Sequence, residues 1–90
     1  MKVVFVVLED SDVVAIFPEE KERNGLLTCY AHIGQHGSAA PECLRAREAT
    51  LSEGVSLLAE LRGIYESAED FVPLEVISIE DARAIVGWEA

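Results

Sequence analysis

Ninety residues make one domain, and a formal charge of −10, from 17 acidic against 7 basic side chains, repels phosphate backbones and anionic membrane surfaces alike. Half of the residues are hydrophobic, too many for a disordered chain, although a globule of this size hides only about 60 to 65% of its unfolded surface. Nucleic acid and membrane are therefore not expected as partners.

The chain opens on Met1 to Leu8, an apolar run too short to span a membrane and followed at once by acids, which does not read as a signal peptide. With no export signal, Cys29 and Cys43 are expected to stay reduced and the compartment to be the cytoplasm. Lys2 to Leu8 is β-branched and aromatic, the composition of a strand. Alternation sends Val3, Phe5 and Val7 one way and Val4, Val6 and Leu8 the other, so both faces are apolar and the strand belongs inside a sheet. Turn-forming Glu9 to Asp12 leads to a second strand, Val13 to Phe17, which Pro18 ends.

Residues 18 to 25 form a charged connection closed by the turn pair Asn24-Gly25. The third strand, Leu26 to Ile33, places Leu27, Cys29, Ala31 and Ile33 on a core face and Leu26, Thr28, Tyr30 and His32 on the other. Gly34 to Pro41 breaks that strand, and Pro41 to Arg47 reads equally as a helical turn or an extended piece. Thr50 followed by Glu53 is a capping box, so a helix starts there and runs to Tyr65. Its stripe is Leu51, Val55, Leu58 and Leu61, widened by Leu57 and Ile64. After an acidic exit over Glu66 to Asp70, Leu74 to Ile79 reads as a fourth strand. Ser78 then caps a short terminal helix carrying Ala82, Ile85 and Val86 to Trp88.

These elements predict a single α+β domain over residues 1–90. It has two layers, with a four-stranded, mainly antiparallel sheet in the order 3-2-1-4, one long covering helix and a short C-terminal helix. One helix covers one face only. The other, carrying Val4, Val6, Val14 and Ile16, is expected to be buried in a homodimer, unless the terminal helix folds back over it.

With Asp12-Val13-Val14-Ala15-Ile16-Phe17-Pro18-Glu19, Tyr30-Ala31-His32-Ile33-Gly34-Gln35-His36 and Ala49-Thr50 before a leucine-rich helix, the chain resembles a family of short bacterial proteins found in genomes and mobile elements. The likeness covers roughly residues 1–79 and is most specific at Gly34-Gln35-His36. This chain departs from the pattern at Gly37 to Pro41. The family has no assigned activity, so the resemblance implies a fold and a surface without a reaction.

Among chemical constellations, Cys29, His32, His36 and Cys43 have the residue types of a zinc site, but an odd separation on a strand sends Cys29 and His32 to opposite faces. No metal or other cofactor is expected. A cysteine nucleophile lacks a local motif, and Glu19-Glu20 and Glu80-Asp81 read as solvated or helix-starting acids. Gly34 and Gly37 are not followed by the lysine and hydroxyl of a phosphate loop. Tyr30, His32, Gln35 and His36 remain, either as a partner- or ligand-binding patch or as a hydrogen-bonded turn. The expectation is an accessory or regulatory protein that binds a basic protein, with a small-molecule or metal-dependent enzyme centred on His32 and His36 as the alternative.

Overall fold

The computed structural model describes residues 1–8, 12–22, 24–31, 35–66 and 72–87, for Gln35 the backbone only. The sequence expectations for His32, Ile33, the Glu9 to Ser11 turn, Ser67 to Asp70 and Trp88 lie outside the described residues. Strand β1 is Lys2–Val7, β2 is Val13–Lys21, β3 is Leu27–Ala31, β4 is Gln35–Ala39, β5 is Arg47–Glu48 and β6 is Glu75–Val76; the helices are α1, Leu51–Tyr65, and α2, Ile79–Ile85. A 3-10 turn at Pro41–Arg45 precedes β5, so the segment left open by the sequence is a helical turn first and an extended piece second.

The sheet order is β4-β3-β2-β1-β5, with β6 also on β1. The expected succession of third, second and first strands is present, in antiparallel register through Val4↔Ile16 and Ile16↔Cys29. The segment expected as a fourth strand does lie beside β1, in parallel, but only over Glu75–Val76. Its neighbour on the same edge is β5, antiparallel to Val6 and Val7. Pro18 does not end β2: the strand runs on to Lys21 across a register shift between Phe17 and Lys21. A bulge accommodates a residue without an amide hydrogen, which a regular ladder does not.

The Asn24-Gly25 turn forms as read. Gly25 takes φ 84°, a conformation that side chains disfavour, and the Leu26 amide donates to Asn24 Oδ1 at 3.1 Å.

The two-layer expectation is corrected, because both faces of the sheet are covered. On one side Val3, Phe5, Ala15, Phe17 and Tyr30 pack with Leu57 and Leu61 of α1. On the other, Val4, Val6, Val14 and Ile16 pack with Leu44 of the 3-10 turn and with Ile79 and Ala82 of α2. Val4, Val6 and Ile16 are 0% exposed in the single chain. The face expected at a dimer interface is thus filled from within, by the fold-back of the terminal helix. Arg83 Nε fastens α2 to the 3-10 turn by donating to the Leu44 carbonyl at 2.8 Å.

Helix α1 begins at the expected capping box: the Glu53 amide donates to Thr50 Oγ1, and the Thr50 amide donates to Glu53 Oε1 at 2.9 Å. Its buried face differs from the expected stripe. Gly54, Leu57 and Leu61 face the sheet, while Leu51, Val55 and Ile64 are exposed, Leu51 by 90%. Gly54 lies against the Phe5 ring, where a Cβ would stand 3.4 Å from Phe5 Cγ, and with Leu57 and Leu61 on this side Leu51 and Val55 point outwards.

Candidate functional site

Where the sequence has a break after Ile33, the structure has a strand. Gln35–Ala39 pairs antiparallel with β3 in the register Tyr30↔His36 and Cys29↔Gly37. Directly opposed residues share a face, so His36 stands on the α1 side with Tyr30, and Gly37 on the other side with Cys29. A Cβ at Gly37 would stand 3.7 Å from Cys29 Sγ, an ordinary contact distance.

On the α1 side three rings meet edge to face. The Tyr30 and His36 centroids are 4.9 Å apart, and those of His36 and Tyr65 are 5.9 Å apart. Phe17 continues the cluster, 5.9 Å from Tyr65. Such geometry sets the positive edge of one ring against the negative face of another. His36 Nε2 and the Tyr65 hydroxyl share a hydrogen bond of 2.6 Å, and the Tyr30 hydroxyl donates to Glu60 Oε1 at 3.1 Å. Along the strand, the Ser38 hydroxyl donates to Glu22. Carboxylates therefore border the rings on two sides.

Burial divides the roles. Tyr30 is 2% exposed and His36 is exposed. Of the described side chains in the expected patch, His36 reaches solvent and Tyr30 acts as the floor beneath it. The strand backbone carries Gln35 opposite Ala31. Burial pushes the Tyr30 phenol above its ordinary value, with the bond to Glu60 and that residue's negative charge adding to the effect. Tyr65 is raised by burial and by the nearby negative Glu20. Tyr65, Glu60 and Glu22 were not among the expected site residues. The first two sit in a helix read for its cap and apolar stripe, and the third sits in a segment read as a charged connection.

The zinc constellation does not assemble from its described members. Cys29 packs in the core under α2 with Cys43 against the same cluster, while His36 stands across the sheet. Burial, then the neighbouring Cys43, raises the Cys29 thiol pKa, which leaves it a poor nucleophile. Both cysteines are free thiols.

Grooves among the described residues lie away from His36. One, of about 390 Å³, runs between α1 and β6 and includes Phe5, Leu51, Leu58 and Val76; another, of about 500 Å³, includes Leu8, Cys43 and Arg47; a third, of about 260 Å³, includes Leu27, Pro41 and Val86. Among the described residues, no helix is long and apolar enough to cross a membrane. No family model, curated protein or solved structure matches this chain.

Proposed function

We propose that this chain is a small acidic accessory or regulatory protein of the cytoplasm that acts by binding a basic protein partner, through the α1 side of the β4 strand. The observation that carries this reading is His36, solvent-exposed yet held by Tyr65 and Tyr30, with Glu22 and Glu60 beside it. Aromatic rings next to carboxylates offer two complementary attractions to a lysine or arginine side chain, one to the ring face and one to the charge. The excess of 17 acids over 7 bases extends that attraction beyond contact range.

The alternative, an enzyme centred on His32 and His36, has one feature in its favour. A histidine and a tyrosine sharing a 2.6 Å hydrogen bond have the geometry for passing a proton. Against it, His36 stands on an exposed strand and lines none of these three grooves, where a small substrate would lose its water.

Affinity capture from the native host tests the proposal, comparing the wild type with a His36→Ala, Tyr65→Phe variant that melts at a similar temperature. A basic protein should be captured by the first and lost from the second. Equal capture by both sinks the assignment of the surface.

A further inference from the structure

The two ends of the sheet are finished differently. At one end β1 is covered by β5 and β6, two residues each and carrying Arg47, Glu48 and Glu75. Short, charged strands of this kind blunt an edge against further pairing. At the other end stands β4, five residues long, with the sequence Gln-His-Gly-Ser-Ala. It has neither lysine, proline nor any carboxylate, the devices that normally close an edge. Among the described residues its strand neighbour is β3 alone, so the outer side of its backbone has no strand beside it. Gly37 in its centre is exposed and leaves room for another backbone to approach closely.

Charge marks what fits there. The α1 side of this edge carries His36 and Ser38, with Glu22 bonded to Ser38, Glu60 bonded to Tyr30, and Glu20 near Tyr65. A strand laid along β4 would send alternate side chains onto that side, next to those carboxylates.

We infer that β4 is a docking edge for an extended basic segment of a partner protein, which adds to the sheet as a further strand and sets alternate arginine or lysine side chains against Glu20, Glu22 and Glu60. This rests on the proposed function and supplies its binding mode. Main-chain hydrogen bonds to β4 hold the segment, and the carboxylates select its charge.

The test uses the full chain and a short synthetic peptide alternating arginine with valine, in three forms: unmethylated, N-methylated on the arginines, and N-methylated on the valines. Successive residues of a strand turn their amides to opposite edges, so each methylated form has one edge blocked. Affinity is measured calorimetrically at low ionic strength, and amide hydrogen exchange is followed over Gln35 to Ala39. Strand addition predicts binding of the unmethylated peptide and slowed exchange in β4. It also predicts that one methylated form loses at least about tenfold in affinity while the other keeps it, since two or more hydrogen bonds vanish from one edge only. Equal affinities of all three forms, or equal losses in both methylated forms, overturn strand addition and leave the basic-partner reading standing. If the unmethylated peptide does not bind, both fall.

Discussion

At the level of single residues, the two tyrosines of this chain are structural supports before they are surface. Tyr30 is a ring in the core whose hydroxyl reaches Glu60, and Tyr65 links α1 to β4 through His36. Both phenols are raised above their ordinary 10, chiefly by burial, because a phenolate would be poorly solvated there. A folded-state pKa above the unfolded one means that the stabilisation is complete below pH 10 and is lost as pH rises through the folded value. Phenolate absorbance should therefore show both tyrosines titrating above 10, and Tyr30→Phe should flatten the alkaline fall in stability. Titration of both at the free value would contradict the burial.

At the level of elements, α1 carries opposite expectations at two glycines. Gly63 is exposed with nothing within 4 Å of a would-be Cβ, so Gly63→Ala should gain the helix propensity difference, about 0.5 to 1 kcal/mol, and raise the melting temperature. Gly54 faces Phe5, and Gly54→Leu has to push α1 off the sheet, a strain of about 1 to 3 kcal/mol. Equal effects at the two sites would mean that α1 does not lie on Phe5.

The N-terminus of α1 also sets the acid limb of stability. Arg47 donates two hydrogen bonds to Glu53, each 2.8 Å, and with the Thr50 amide this pulls the Glu53 carboxyl down to about 2 from 4.5. A depressed pKa contributes stability that is complete above about 4.5 and lost as pH falls towards 2. Denaturant titrations of Arg47→Ala should show a shallower loss in that window than the wild type. Glu53 is largely solvated and the effect is accordingly small. Thr50→Ala, which removes the cap itself, should cost about 0.5 to 2 kcal/mol at every pH.

At the level of the whole molecule, one chain covers both faces of its own sheet, which removes the physical reason for burying Val4, Val6, Val14 and Ile16 on a second copy. Light scattering after size exclusion should give a monomeric mass at micromolar concentration. A dimeric mass would direct attention to α1, where Leu51 and Val55 stand exposed beside the groove to Val76.

Short-range sequence determined several local elements of this protein. The doubly apolar β1, the Asn24-Gly25 turn, the Thr50–Glu53 box and the Ser78 cap each depend on residues within a few positions of one another. Steric and hydrogen-bond preferences at that range are written in the sequence. What needed the tertiary structure was every choice made by distant partners. Gln-His-Gly-Ser-Ala has no strong strand propensity and becomes β4 because β3 offers it a ladder. Which side of α1 is buried was decided by its packing on the sheet, with Gly54, Leu57 and Leu61 inward and Leu51 and Val55 left exposed. The meeting of His36 with Tyr65, across 29 positions, is the same kind of outcome. A contact between residues so far apart leaves no periodic trace, because only the packing of α1 on the sheet brings them together.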